Sequence, residues 1–529
     1  MKKHISYIIL AAALVLTTFS CNKDLNRIPI NTTISQNVFS TAAGTKEALA
    51  KVYGAFALTG SSGSGSSDLG GIDAGTSDFL RLYWNVQELP TDESICAWGD
   101  PGISDLNFIS WTSGNILLNG LYNRSVYQIT VANSFLRATA TNAASDLSSS
   151  DLKHYRAEAR FLRAYQYWVL MDLFGNPPFV DENSTIGSTA PKQIMRADLF
   201  KYVESELLAI EPDLAASKTN EYGRADQAAD WALLARLYLN AKVYTGTDRS
   251  TDAITYASKV IGAGYSLMPK YKNLFMADNN KNNPETILSI NYDLNQTQNY
   301  GGTTFLVNSC IDGNIPGGPS AYGVPGGGWG GNRARSPLPK LFGADYTTSN
   351  DSRAKLLQEN VYDISAVATF AQGIKTAKFS NMNSDGTTPA NASVFASTDF
   401  PLFRLGEQYL IYAEAVLRGG TGGDMATAIS YINKLRERAY GNTSGDVTSI
   451  TLPFILDERA RELYIEGFRR TDLIRFGEFT TSTYIWPWKG GTPGGKSVGD
   501  YYNLYPIPSS DIVNNTNLVQ NPGYGGTTK

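Results

Sequence analysis

Histidine is almost absent from this chain: His4 and His154 are the two in 529 residues. Ser-His-Asp chemistry and histidine-rich metal sites each need a correctly placed imidazole. Most hydrolase and metalloenzyme readings therefore lose their key group. His154 stands beside Lys153 and Arg156 at the start of a helical segment, the place of a solvated first-turn residue. Cysteine is scarce too. Apart from Cys21 there are Cys96 and Cys310, which an oxidising compartment allows but does not oblige to pair. There is no block of basic residues, and the formal net charge is -4, so the chain is a poor candidate for nucleic acid or an anionic membrane surface. No stretch follows the acidic pattern D-x-[DN]-x-[DN]-G of a calcium loop. No metal ligand is nominated, and no cofactor is expected.

Long apolar runs are missing everywhere except at the N-terminus. Lys2 and Lys3 precede the run from Tyr7 to Leu16, which is too short to span a bilayer and fits the apolar region of a signal peptide. Small Ser20 then stands directly before Cys21. A cysteine there resembles the lipobox of bacterial lipoproteins, whose thiol is acylated and becomes the first residue; the alternative is an ordinary secretory signal. Removing residues 1–20 takes away two lysines and no acid, moving the formal net charge from -4 to -6. No later stretch approaches ~18 uninterrupted apolar residues. No Ser/Pro or charge-run linker divides the remainder, so residues 21–529 read as one domain with insertions at about 59–115 and 291–400.

Helical periodicity recurs along this body. From Tyr155 to Phe174, Tyr155, Ala159, Leu162, Tyr165, Val169 and Leu173 form an apolar stripe. Ser150 or Asp151 can cap its start, and Gly175-Asn176-Pro177-Pro178 ends it. ADLFKYVESELLAIEPDL follows as its partner. QAADWALLARLYLNAKVY with TDAITYASKVIGAGY makes a second pair, and LFRLGEQYLIYAEAVLRGG with DMATAISYINKLRERAY a third. An earlier pair, GTKEALAKVYGAFAL and GLYNRSVYQITVANSFLRA, is interrupted by a Gly/Ser/Asp-rich segment carrying Trp84, Trp98 and Trp111. The pair length and alanine placement resemble tetratricopeptide repeats. The expected class is mostly α, a scaffold of helix pairs with a large loop-rich half.

The loops hold the functional signal. Eleven of the eighteen residues from Ile315 to Asn332 are Gly or Pro, yet the stretch contains Tyr322 and Trp329. Flexible linkers and disordered segments are poor in large aromatics, and long irregular segments in a compact body are usually functional or disordered. The aromatics tilt this one towards function.

Four segments then resemble the SusD/RagB family, in family order: YRAEARFLRAYQYWVLMDLFGNPPFV, FPLFRLGEQYLIYAEAVLR, LDERARELYIEGFRRTDLIRFGEF and NLYPIPSSDIVNNTNLVQNPGY. With the lipobox-like start, the resemblance covers nearly the whole chain. It implies a lipid-anchored protein of the bacterial outer-membrane surface, with four tetratricopeptide-like helix pairs and a loop-rich ligand-binding half. It also implies that the protein captures a nutrient, most often an oligosaccharide, and passes it to a SusC-like TonB-dependent transporter. No catalysis is implied. A peptide-binding member of the same family and a helical-toroid glycosidase are the alternatives.

Sugar rings have apolar faces and hydroxyl-bearing edges, so flat aromatic side chains and a few placed polar groups suit them. The resemblance places one binding tryptophan in TDESICAWGDPGISDLN, which nominates Trp98 with Asp100 and Asn107. It places further aromatics between Tyr292 and Arg335, which nominates Trp329, Tyr322 and Tyr300. Trp168 and Trp231 lie on helices and are expected in the core. FSNMNSDGTTPANASVF is a further candidate stretch without a nominated residue. Glu458 and Glu462, four apart on one helix, could suggest a pair of catalytic carboxylates. Arg459, Arg461, Arg469 and Arg470 crowd them, however, and arginine lowers a carboxyl pKa where a general acid needs it raised. A structural ion-pair network is expected there.

Overall fold

The computed structural model describes residues 38–141, 144–185, 187 and 190–525. The apolar leader and Cys21 lie outside the described residues. Helices dominate. The first half contains α1 (Ala42–Ala57), α2 (Phe79–Glu88), α3 (Ile103–Phe108), α4 (Ile116–Thr141), α5 (Ser149–Phe174), α6 (Arg196–Ile210), α7 (Gln227–Leu239) and α8 (Ser250–Ile261). After α9 (Gly302–Ser309), α10 (Leu405–Leu417), α11 (Met425–Tyr440), α12 (Leu452–Leu463) and α13 (Arg469–Arg475) complete the main set. The expected pairs all pack: α1 on α4, α5 on α6, α7 on α8 and α10 on α11. No helix among the described residues is long and apolar enough to cross a membrane.

Where one face of a helix meets solvent, sequence period and burial agree. In α11 the buried residues are Ala428, Ile432, Leu435 and Ala439, a stripe of three- and four-residue steps. Asp424 accepts the amide of Thr427 at its start, and Gly441, at φ 74°, ends it. α5 behaves differently. Every residue from Phe161 to Phe174 is buried, because α4 and α6 close on it from two sides. Two of its charged residues are paired inside: Glu158 with Arg224 at 2.6 Å and Arg163 with Glu206 at 2.7 Å. The cap at its start is Ser148, which accepts the amide of Asp151, rather than Ser150 or Asp151.

Two other expectations change. The insertion at 59–115 is not wholly irregular, since α2 is a helix whose ten residues are all buried. Its apolar residues Phe79, Leu82, Tyr83 and Val86 do fall at helical spacing, but the stretch is short and stands between a Gly/Ser-rich run and Pro90, which read as loop. Second, Phe400–Arg404 is a strand and not the first turn of α10. As β6 it pairs antiparallel with β2 (Thr286–Ile290), and Pro401 within it disfavours helix. Two more short ladders hold the loop-rich half. β1 (Ser94–Cys96) pairs with β3 (Asn332–Ala334), and β4 (Leu357–Gln358) pairs with β5 (Lys375–Thr376).

Candidate functional site

The β1–β3 ladder joins parts of the chain more than two hundred residues apart, with Cys96 opposite Asn332. One step further, Ala97 donates to the carbonyl of Gly331 at 2.9 Å. Trp98 follows β1 and Trp329 precedes β3, so the ladder sets the two indoles side by side. Their ring centres lie 6.4 Å apart at 49°, and Trp98 Nε1 donates to the Trp329 carbonyl at 3.3 Å. Glycine is required at 331, where a Cβ would stand 2.3 Å from Cε2 of Trp98. The glycine-rich stretch is therefore anchored. Trp329, Gly330 and Gly331 donate in succession to Asn308, Ile311 and Ser309 at the end of α9, at 2.8, 2.9 and 2.7 Å.

Tyr300 extends the row. Its ring lies 6.4 Å from that of Trp329 and 5.3 Å from Phe395, and it is 42 % exposed. Trp98, Trp329 and Phe395 are half-buried. The turn carrying Tyr300 is clamped to the start of α2 by Asp78, whose Oδ1 accepts the amides of Gly302 at 2.8 Å and Arg81 at 2.9 Å. Behind the row stands Arg81. Its guanidinium lies 5.7 Å from the Trp98 ring centre and 4.9 Å from Phe305, and donates to the Tyr300 carbonyl at 3.1 Å. Burial pushes its pKa down, while the charges of Asp73 and Asp100 push it up. Arg81 Nε is buried with no partner, a donor left unused beside the aromatic row.

The nominated residues thus divide. Trp98, Trp329 and Tyr300 meet. Asp100 is exposed in the turn after Trp98 and acts on Arg81 through its charge. Tyr322 stands apart from the row on the same loop, its hydroxyl donating to Pro316 O at 3.2 Å and its carbonyl accepting from Asn381. Asn107 is 2 % exposed, with both amide atoms bonded to the backbone of Cys96 at 3.0 and 2.8 Å; it braces β1 from inside. Trp84 and Trp111 are buried, with Nε1 on Ile465 O and Tyr524 Oη respectively. Trp168 is in the core, and half-buried Trp231 donates to Glu211 at 2.8 Å. His154 is half-buried rather than fully solvated. Cys96 and Cys310 are buried free thiols, so strand pairing, and not a disulfide, brings the loop to Trp98.

Sequence reasoning missed Arg81, Phe305 and Phe395. Phe395 closes the FSNMNSDGTTPANASVF stretch, where a lone aromatic after a polar run was the available signal. Arg81 gave none, since it lies with Asn85 and Glu88 on the polar side of α2, where a charged residue reads as solvated.

The carboxylates of α12 lie elsewhere. Glu458 and Glu462 are fully buried among Arg353, Arg404, Arg436, Arg438 and Arg461. The network is as expected, but most of its arginines come from distant segments: Arg459 pairs with Asp472 and Arg469 with Asp92, both at 2.7 Å. Burial alone would raise the Glu458 carboxyl, yet Arg353, Arg461 and Arg436 outweigh it and hold it down at about 2. Glu462 is held down by Arg438, Arg404 and Arg353 against the same opposing burial. Neither can serve as a general acid near neutral pH. Among the described residues no group of three or more His, Cys, Asp and Glu is placed to hold a metal ion.

With this geometry in place, comparison with known proteins is informative. Residues 238–524 match the profile of the SusD family, and residues 103–239 match one described as "Starch-binding associating with outer membrane". The chain is 38 % identical to the starch-binding protein SusD of Bacteroides thetaiotaomicron, over 97 % of this chain and 98 % of that protein. Two solved structures share the fold. A surface glycan-binding protein A from Bacteroides thetaiotaomicron, in complex with laminarihexaose, superposes with a TM-score of 0.70 at 21 % identity, covering 91 % of this chain and 99 % of the other. A SusD superfamily protein of the same organism gives 0.71 at 20 % identity, covering 91 % and 100 %.

Proposed function

The chain belongs to the SusD family, and from that premise we propose that it is a surface-exposed glycan-binding lipoprotein without catalytic activity. It captures oligosaccharide and delivers it to a SusC-like TonB-dependent transporter in the outer membrane, to which its own anchor is the acylated Cys21. The observation that carries the binding part is the row Trp98–Trp329–Tyr300, three rings at 6.4 Å steps beside Arg81. Each ring offers a flat apolar face to a pyranose while losing little side-chain entropy on contact, since the loop already fixes it. Arg81 supplies hydroxyl-binding donors, and Asp100 and Asp73, the carboxylates acting on it, supply acceptors. Phe395 closes the row beside Tyr300. The identity with a starch-binding relative across nearly the whole chain makes an α-glucan the first ligand to test.

Stacking on a shallow row gives modest free energy, so dissociation constants of roughly micromolar to millimolar are expected. Isothermal titration with maltoheptaose, and with laminarihexaose as a β-linked control, measures them. Trp98→Ala and Trp329→Ala should each weaken binding about tenfold or more, as truncated aromatic anchors do. Unchanged affinity in both, with the fold intact, removes these residues from the site.

A further inference from the structure

A second loop repeats the composition of the first. In WPWKGGTPGG, from Trp486 to Gly495, six of ten residues are Gly or Pro, and Trp486 and Trp488 stand among them. Trp486 is buried. Trp488 is half-buried and faces Phe108, also half-buried, with ring centres 5.7 Å apart at 36°. Its indole is fixed by Nε1, which donates to Ile364 O at 2.8 Å. Next to Phe108, bare Gly491 (φ 80°) adds no bulk to the pair, though a Cβ there would lie 3.6 Å from Cβ of Phe108.

The backbone is strained at both rings. Trp488 has φ 69°, and Ile109, the residue after Phe108, has φ 53°. Bulky and β-branched side chains rarely adopt that region, and such strain persists where other contacts over-determine it, often at ligand sites. Glycine would relieve it at either position, yet here the strained turns present two large rings at the surface.

One side chain ties this pair to the first row. Arg335, fully buried, donates to the carbonyls of Ser94 at 2.9 Å, Leu89 at 3.0 Å, Asn107 at 2.8 Å, and Pro487. Asn107 precedes Phe108, Pro487 precedes Trp488, and Ser94 begins the strand that leads to Trp98. Arg335 itself follows β3 and thus Trp329. Because Asn107 also binds both backbone atoms of Cys96, chain geometry keeps the Cα atoms of Trp98 and Phe108 within about 20 Å.

We propose that Phe108 and Trp488 form a second saccharide-stacking platform, which engages a polysaccharide long enough to outrun the Trp98–Trp329–Tyr300 row. Lys496, whose stem crosses bare Gly490 in the same loop, supplies a donor. This rests on the glycan-binding reading above. Two linked weak sites raise retention of a long ligand without changing the affinity for a short one.

The test is affinity electrophoresis in soluble amylopectin together with titration of maltoheptaose, using the full-length mature protein. Trp488→Gly removes the ring and suits the left-handed backbone, so its melting temperature should hold or rise. Retention by amylopectin should fall about fivefold or more while the heptasaccharide constant stays within about twofold. Phe108→Ala should repeat the result through the other ring. Wild-type retention in both variants overturns the platform, as does an equal loss for short and long ligands, which would place Trp488 in the first site. The first reading fails separately: it is lost if Trp98→Ala and Trp329→Ala leave heptasaccharide binding intact.

Discussion

This protein buries arginine in two ways. Around α12, Arg404 contacts Glu285 at 2.9 Å, Glu462 at 2.6 Å and Glu466 at 2.7 Å, and Arg353 contacts Asp351, Glu458 and Glu462. Burial works against both charges, but the carboxylates win and hold both pKa values well above the ordinary arginine range. In the loop-rich half, Arg333 and Arg335 bond backbone carbonyls: Gly331, Val367, Thr369 and Gln372 for the first, and Leu89, Ser94, Asn107 and Pro487 for the second. There burial prevails, pushing Arg333 down to about 10 and Arg335 down to about 9. A carboxylate partner locks one side chain to another and fixes the helices that carry them. A carbonyl partner can come from any residue, so Arg335 alone gathers three separate stretches of chain, Leu89 to Ser94, Asn107 and Pro487, whatever their side chains do. The ionic centre ties distant segments to α12, and the carbonyl-held arginines shape the proposed binding face.

That division can be broken at several strengths. Arg404→Ala should destabilise by about 3–5 kcal/mol, because it takes one cation from three buried carboxylates and leaves Arg438, Arg353 and Lys378 to hold them. Chemical denaturation measures it, and a loss below about 1 kcal/mol would reduce the network to surface-pair importance. Acid should act on this centre and on the separate buried cluster of Glu414 with Arg475 and Arg418. Glu458 and Glu414 are both held at about 2 by arginine against opposing burial. Since folding lowers these pKa values, their contribution is present above about 4.5 and is lost as pH falls through about 2. Each is worth about 3 kcal/mol. Denaturant midpoints taken from pH 6 to pH 2 should fall steeply below pH 4.5, and a flat profile contradicts the assignment. Arg335→Met is expected to cost about 1–3 kcal/mol, through carbonyls left unbonded. It should also weaken glycan binding, which Arg404→Lys, if folded, should leave unchanged. Equal effects of the two on binding would erase the contrast.

Much of the helical half was legible in the sequence, because Ile432 and Leu435 face a core while their neighbours on α11 face water. α2 was not, because the period of Phe79, Leu82, Tyr83 and Val86 is short and set between loop-like flanks, and its polar side, which carries Arg81, is buried as well. Asn107 shows another limit: an amide spent on its own neighbourhood has the same letter as one awaiting a ligand. The meeting of Trp98 with Trp329 depends on three-residue strands far apart in the chain, too short to carry a pattern. The composition of the glycine-rich stretch raised the right question, and Gly331 supplies the answer, since only its missing Cβ lets Trp98 lie against that loop.

The most direct test combines Trp98→Ala with Trp329→Ala in one protein and measures maltoheptaose binding by calorimetry beside its melting temperature. Binding heat should disappear at concentrations that saturate the wild type, while the melting temperature moves by only a few degrees. Wild-type affinity in a folded double variant would contradict it.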